Sequence, residues 1–330
     1  MTHTQDPQVS SRNRAVQTGA PPAAPPAAPP AAPVRRRWRV LLLSITAGFA
    51  LTVVWSAEFV DQTIGGNIAT TLLGHDPQAP ISGAVAGIVF AFTSGLAGTF
   101  TACNIAAFGT VAPLLGTVGS RWGRVAQALK PLGPLSLGMV TVSALYGALV
   151  GFVGTSMPQF SEAESVPGLL SGRSVQSMAA FGIVGLSMFY LGLSALGFVR
   201  DPFARLRRRF PHAQTVFMGA LIGGFLIGRP YPLFRQLFRD AAESGNPLYG
   251  AAAFTLQSVG NIAIMAVVFV ALSAVAGARV QRWMAKPQRA AVLTAVALIV
   301  AGAFTFLYWD VRLLARRDII PWYPIAPWAA

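Results

Sequence analysis

The sequence predicts an all-α fold, a polytopic bundle of helices that span a membrane. Hydrophobic residues make up 54% of the 330 residues, charged residues make up only 11%, and the mean hydropathy is +0.56. Soluble domains carry about 25% charged residues, so this charge content argues against a soluble domain. Apolar runs of about 20 residues, the length of one helical crossing, recur along the chain. A transmembrane β-barrel would show short alternating strands instead.

Seven apolar runs predict seven transmembrane helices. The first covers residues 39–60 and follows a Pro- and Ala-rich tail, 1–38, which is expected to be disordered in the cytoplasm. The other six form two groups of three, at 81–199 and 214–309. Residues 310–330 are rich in aromatic side chains, which favour the headgroup zone, and are expected to lie outside the cell.

Arginine and lysine cluster in alternate loops, which predicts the orientation of the chain. The N-terminus is expected in the cytoplasm and the C-terminus outside, in a multi-pass protein of the plasma membrane. The net charge of +14 comes from these short loops, so the lipid bilayer is the expected partner and nucleic acid is not.

Two apolar segments, 81–116 and 214–249, exceed the length of one crossing, and each opens one group of three. With opposite orientations, the two groups predict a 3+3 inverted repeat whose working site lies where these helices break. Proline removes amide donors, and glycine weakens a helix. The predicted break residues are Gly109, Pro113, Pro230 and Pro232.

Glycines four residues apart occur in several of the apolar runs. Such pairs allow helix backbones to approach closely within a membrane, so they predict a tightly packed bundle. The pairs are Gly83 and Gly87, Gly147 and Gly151, Gly219 and Gly223, and Gly224 and Gly228.

Cys103 is the one cysteine of the chain and the candidate catalytic residue. In a membrane helix a lone cysteine commonly serves as a small packing residue, and its reactivity as a thiolate would require water or a nearby cation. Arg229 is the candidate cation, with snorkelling to the interface as the alternative. The candidate lining of a cavity consists of Asn104, Arg229, Tyr231, Gln257 and Asn261. The alternative for the three amides is that they only hydrogen-bond neighbouring helices.

No metal-binding motif, phosphate loop or catalytic triad is recognisable, so neither a metal nor a cofactor is expected. Glu58 and Asp310 are placed at the ends of membrane helices, which leaves the spans without carboxylates. A pump that depends on a buried Asp or Glu is therefore not favoured.

Two segments resemble the CcdA/DsbD transmembrane family, which carries electrons between thiols. They are SGLAGTFTACNIAAFGTVAPLLG at 94–116 and GRPYPLFRQLFRDAAESGNPLYGAAAFTLQSVGN at 228–261. The resemblance implies a role in thiol redox chemistry or cytochrome c biogenesis, with thioredoxin-like or extracytoplasmic thiol proteins as partners. Cys103 matches the first cysteine of that family. Arg229, Pro230 and Tyr231 stand where the second is expected.

Three functions follow from these observations. The first is a redox protein in which Cys103 is a single reactive thiol that forms a mixed disulfide with a partner. The second is a transporter of a small solute with a central cavity near Arg229. The third is a non-catalytic membrane subunit in the assembly of other proteins. Whether the chain is an enzyme is left open by the sequence.

Overall fold

Every regular element in the described part of the chain is helical. A computed structural model describes, apart from a few single positions, residues 34–56, 66–74, 83–98, 129–161, 167–228, 232–275 and 287–329. The helices are α1 (Val34–Val54), α2 (Asn67–Leu73), α3 (Ala84–Ala97), α4 (Leu132–Val153), α5 (Gly172–Leu196), α6 (Leu206–Arg209), α7 (Ala213–Gly228), α8 (Pro232–Glu243), α9 (Pro247–Val275), α10 (Pro287–Phe306) and α11 (Arg312–Arg316). A π-helical turn, Leu307–Val311, joins α10 to α11.

Five helices among the described residues are long and apolar enough to cross a membrane. They are α1, α4, α5, α9 and the continuous rod from Gln288 to Arg316. A sixth crossing results if α7 and α8, which meet at an angle of 83°, are taken together. The remaining predicted crossing corresponds to α3, whose 14 residues are too short to span alone, and residues 99–122 lie outside the described part. The structure is thus all-helical with five or six candidate spans, and seven spans are not confirmed.

α1 begins at Val34, directly after the last proline of the Pro- and Ala-rich segment. The sequence assigns residues up to 38 to the disordered tail, whereas 34–38 belong to this helix. Between Pro33 and the end of α1 at Val54 every residue has an amide hydrogen, so the helix can start there. Residues 1–33 of the predicted tail lie outside the described part.

The contacts among the helices stay largely the same when each helix of the first predicted group is exchanged with its counterpart in the second. Contacts join α4 to α9, α5 to α10, α4 to α7 and α3 to α9. If α3 is exchanged with α7, α4 with α9 and α5 with α10, the contact between α4 and α7 becomes that between α9 and α3. The contact between α5 and α7 is the exception, since among the described residues α10 has no equally extensive contact with α3.

Glycines create the closest of these crossings. A Cβ atom on Gly138 of α4 would collide with the backbone carbonyl of Val216 in α7, and one on Gly219 of α7 with that of Leu135. The crossing of α3 and α9 is built in the same way. There, a Cβ on Gly95 would collide with the backbone of α9, and one on Gly260 with the backbone of α3. The crossing of α4 with α7 and its counterpart, the crossing of α3 with α9, therefore both depend on glycine.

Two further crossings each join a helix of one group to its counterpart in the other group. Both of them also carry facing glycines. Gly147 of α4 meets Gly250 of α9, and a Cβ on either would collide with the carbonyl of the other. In the second crossing, a Cβ on Gly302 of α10 would lie 2.6 Å from the Gly185 carbonyl oxygen of α5. Close backbone approach gives packing energy that apolar side chains alone cannot supply in lipid.

Large apolar side chains also point away from the helix contacts. Val85, Phe152, Val267 and Leu248 are between 67% and 81% exposed. Exposed apolar side chains on helices of spanning length fit contact with lipid tails.

The two ends of α1 contact different parts of the chain. At its start, the Arg37 guanidinium donates to the Gly197 carbonyl at the end of α5, at 3.5 Å. At its end, the Val54 carbonyl accepts from the indole nitrogen of Trp328 at 3.1 Å, and the Thr52 hydroxyl is hydrogen-bonded to Tyr323 at 2.6 Å. Burial raises the pKa of Tyr323, so this phenol stays neutral in the hydrogen bond. The aromatic tail is thereby held against α1.

We expect Gly138→Ala to destabilise the protein by about 1–3 kcal/mol, because the new methyl group collides with the backbone of α7. Thermal unfolding of the purified protein in detergent measures the change. Gly133→Ala on the same helix is the matched control, since a Cβ there meets open space. Equal midpoints for the two variants would contradict the close approach of α4 and α7.

Candidate functional site

The bend between α7 and α8 leaves backbone carbonyl groups without helical donors. α7 ends at Gly228 and α8 begins at Pro232. In a continuous helix the Gly228 carbonyl would accept from the amide of residue 232, but proline has no amide hydrogen. Carbonyl groups freed within a membrane must find donors inside the protein.

The first turns of α5 supply those donors. The Ser177 hydroxyl donates to the Gly228 carbonyl at 2.7 Å, and the Gln176 amide donates to the Ile227 carbonyl at 3.1 Å. The end of α7 is therefore capped by side chains of another helix. The Ser171 side chain accepts from the Ser174 amide at 3.3 Å and caps α5 in turn, which places Gln176 and Ser177 in the first two turns.

A polar network and an aromatic cluster connect this cap to α8. Besides the backbone carbonyl, the Gln176 amide lies within hydrogen-bond reach of the Tyr146 hydroxyl of α4, at 2.8 Å, and that hydroxyl donates to the Gln159 side chain. The Tyr146 ring packs edge-on against Phe238 of α8 and Phe254 of α9. The bend is thus held by hydrogen bonds on one side and by rings on the other.

α8 is strongly amphipathic. Its buried face carries Leu233, Phe234, Leu237 and Phe238, which join the aromatic cluster. Its exposed face carries charged side chains. The buried face packs α8 onto the bundle and closes one side of the space beside the bend.

A small chamber lies next to the bend, where four helices meet the end of α3. Its enclosed space is about 20 Å³, which is room for about one ordered water molecule. The described residues that line it are Gly98, Met139, Ser143, Ile222, Gly223, Phe225, Leu226, Phe234, Gln257 and Asn261. The chamber therefore lies between the first two helices of each predicted group.

Hydroxyl and amide groups form the polar part of the chamber. Ser258 donates to Ser143 at 2.7 Å across the contact of α9 and α4. Gln257 and Asn261, on the same helix, are 2% and 6% exposed. The described lining contains no titratable side chain, so it offers donors and acceptors for a small polar group but no acid or base.

The structure brings two of the sequence-predicted site residues together. Gln257 and Asn261 both line the chamber, and Pro232 is the first residue of α8. The other predicted residues lie outside the described part of the chain. These are Cys103, Asn104, Gly109, Pro113, Arg229, Pro230 and Tyr231.

Two charged residues that the sequence places at or beyond a helix end are buried in the structure. Asp310 is 6% exposed and Arg312 is 1% exposed, and both lie within the rod from Gln288 to Arg316. This corrects the prediction that Asp310 ends a membrane helix. The π-helical turn at Leu307–Val311 carries the rod past the end of the apolar run, and no hydropathy pattern indicates such a turn.

The Arg312 guanidinium binds the end of α1. It donates to the Thr52 carbonyl at 3.4 Å and to the Trp55 carbonyl at 3.3 Å, and it lies 4.7 Å from the centre of the Tyr308 ring. Carbonyl groups at a helix C-terminus attract a cation, so this contact ties the rod to α1. Within the described ranges no group of three or more His, Cys, Asp or Glu residues could hold a metal ion.

The fold and the site define a class: the long apolar helices, the internally capped bend and the lipid-type outer surface fit an integral α-helical membrane protein. Comparison with curated proteins shows similarity to methylamine utilization protein MauF. The chain is 26% identical to MauF of Methylophilus methylotrophus over 62% of this chain and 68% of that protein. It is 25% identical to MauF of Methylorubrum extorquens over 78% of this chain and 86% of that protein.

No family model matches the chain, that of the CcdA/DsbD family included. No solved structure matches it either. The resemblance to CcdA/DsbD proteins thus stays a prediction, and the comparisons show similarity to MauF proteins at 25–26% identity.

We expect Ser177→Ala to lower the free energy of unfolding by about 1 kcal/mol, because the Gly228 carbonyl loses its donor inside the bundle. Thermal unfolding in detergent is the measurement. Ser156→Ala is the control, since that exposed hydroxyl bonds only to the carbonyl of its neighbour Val153. A Ser177 variant as stable as the control would show that the cap is dispensable.

Proposed function

We propose that this chain is an integral membrane protein that acts in methylamine utilization. The observation that carries the proposal is the similarity to two MauF proteins over most of the chain. The longer match covers 78% of this chain and 86% of that relative, so the similarity is not confined to a short segment. The helices of spanning length support the membrane part of the proposal.

We propose further that the scaffold consists of two inverted groups of three helices behind α1. Three findings support this arrangement. The helix contacts largely survive exchange of the groups, the exchanged crossings both depend on glycine, and one group opens with a bent helix pair. In proteins of this architecture the working site lies at the interface of the two groups.

We assign the working site to the chamber beside the bend. It lies between the helices of the two groups, and the polar side chains in its described lining are the buried Ser143, Gln257 and Asn261. Such a lining suits contact with a small polar group, and its described residues supply no acid or base for catalysis. A binding or transport role is therefore favoured over an enzymatic one.

The hypothesis of a reactive thiol concerns a residue that is close in sequence to the chamber lining. Cys103 follows Gly98, a lining residue of the chamber, by five positions in the sequence. A role of Cys103 in redox chemistry with a thioredoxin-like partner stays a prediction from the sequence.

We expect deletion of the gene in its host to abolish growth on methylamine. The reason is that, under the proposal, the protein supplies a membrane component that methylamine utilization requires. Growth curves with methylamine, and with a carbon and nitrogen source that bypasses it, give the measurement. Complementation with the intact gene is the control, and undiminished growth of the deletion strain on methylamine would contradict the proposal.

Two variants distinguish the chamber from the thiol. We expect Gln257→Leu to impair growth on methylamine at normal protein levels in the membrane, because it removes a buried amide from the chamber. Cys103→Ser should leave growth intact if the chamber acts by binding. The measurement is growth together with immunoblots of membranes, with Val267→Leu on the exposed face of α9 as matched control.

The reverse result, loss of growth with Cys103→Ser alone, would establish thiol chemistry instead. Normal growth of both variants on methylamine, together with loss of growth in the deletion strain, would indicate a non-catalytic assembly subunit.

A further inference from the structure

The exposed face of α8 carries two arginines one helical turn apart. Arg235 and Arg239 are both exposed, whereas the opposite face of the helix packs on the bundle through Leu237 and Phe238. Like charges four residues apart on a helix repel each other and weaken the helix. The pair therefore lowers the stability of the protein unless a negative charge lies near it.

A third arginine approaches this pair from another helix. Arg173 is the second residue of α5, and both Arg173 and Arg239 act on the Arg235 guanidinium by charge repulsion. Beside Arg173, the Ser174 hydroxyl accepts a hydrogen bond from the Arg317 guanidinium at 3.4 Å, which adds further positive charge at the start of α5. We call Arg173, Arg235 and Arg239 the arginine patch.

In the described part of the chain, the carboxylates of α8 form no ion pair with the arginine patch. The Asp240 Oδ2 atom accepts a hydrogen bond from the Tyr249 hydroxyl of α9 at 2.5 Å. Glu243 lies in the last turn of α8, but the ion pair found among the described residues is that of Arg207 with Asp201. A bound anion would therefore relieve a repulsion that the fold itself creates.

The arginine patch lies where the surface of a membrane is expected. α7 is apolar along most of its length, and α8 turns away from it by 83°. An amphipathic helix nearly perpendicular to an apolar membrane helix lies along the interface, at the depth of the lipid headgroups.

Apolar side chains are exposed beside the arginine patch. Val175, two residues after Arg173, is 51% exposed. Leu248, next to the Tyr249 that bonds to α8, is 81% exposed. Positive groups next to exposed apolar groups match the phosphate and the acyl chains of a phospholipid.

We propose that Arg173, Arg235 and Arg239 bind the phosphate of an anionic phospholipid at the surface of the membrane. Guanidinium groups bind phosphate oxygens through paired, charge-assisted hydrogen bonds, and the bound anion offsets the repulsion among three like charges. A headgroup with a net negative charge is favoured over a zwitterionic one, whose ammonium group adds a further positive charge. This inference goes beyond the proposed function and does not depend on it.

Thermal unfolding of the full chain in a neutral detergent tests the inference. Phosphatidylglycerol is titrated into the delipidated protein, with phosphatidylcholine of the same acyl chains and inorganic phosphate as separate arms. We expect phosphatidylglycerol to raise the midpoint in a saturable way, by about 5 °C at a hundred times its dissociation constant. The other two arms should bind about tenfold more weakly or less, and high salt should weaken the binding of phosphatidylglycerol.

Substitutions in the arginine patch locate the binding. Arg235→Gln and Arg239→Gln should each weaken the apparent affinity for phosphatidylglycerol about tenfold, and Arg235→Lys, which keeps the charge, should weaken it less. Without lipid, both glutamine variants should unfold at a midpoint no lower than that of the unchanged protein, because each loses a repulsive charge. Arg208→Gln, which removes an exposed arginine beyond the other end of α5, is the matched control and should keep the full affinity.

Equal affinities for phosphatidylglycerol and phosphatidylcholine would overturn the inference, because they would show contact with acyl chains alone. Tighter binding of inorganic phosphate than of phosphatidylglycerol would overturn it in favour of a soluble anion. The inference also fails if no arm gives a saturable shift, which would leave an acidic protein surface as the occupant to test, or if both glutamine variants keep the full affinity. The growth assays on methylamine are independent of this measurement, so failure here leaves the proposed function to its own test.

Discussion

The structure depends on one constraint, which is that backbone carbonyl groups freed within a membrane must be satisfied inside the protein. At the bend between α7 and α8 the sequence has two prolines, which lack amide hydrogens. The last carbonyl groups of α7 therefore lose helical donors, and burying them without partners would cost free energy. Ser177 and Gln176 of α5 meet that cost, and Gln176 links the bend to Tyr146 and the aromatic cluster. The bend is therefore a supported feature of the bundle, and the chamber beside it exists because α8 is held at this angle.

Close helix crossings set the remaining geometry. Apolar side chains gain little from leaving lipid for protein, so helices in a membrane gain from approaching one another closely. In this chain the approach is achieved with glycines that face backbone carbonyls, at the contacts of α4 with α7, α3 with α9, and α4 with α9. Because these crossings leave no room for a Cβ, they define which faces of the helices meet and bring Ser143 against Ser258.

Two charged side chains near the C-terminal end of the rod, Arg312 and Asp310, are buried in different surroundings. Arg312 is buried, but carbonyl groups at the end of α1 and the Tyr308 ring surround its guanidinium. That contact stabilises the packing of the rod on α1. Asp310 is buried on another side of the rod, against α5, and its Oδ2 atom has no donor in the described ranges.

The sequence by itself determined the helical class, the apolar segments and the proline-rich bend, because hydropathy and proline act locally along the chain. It also indicated Gln257 and Asn261, since amides inside apolar runs are conspicuous. It could not place Asp310 or Arg312, because a π-helical turn depends on the packing of α10 against α5 and α1. Nor could it identify Gln176 and Ser177 as the cap of α7, because their partners lie about fifty residues away. Only the tertiary structure decides which distant side chain reaches a freed carbonyl, since that depends on how helices cross and not on what each helix contains.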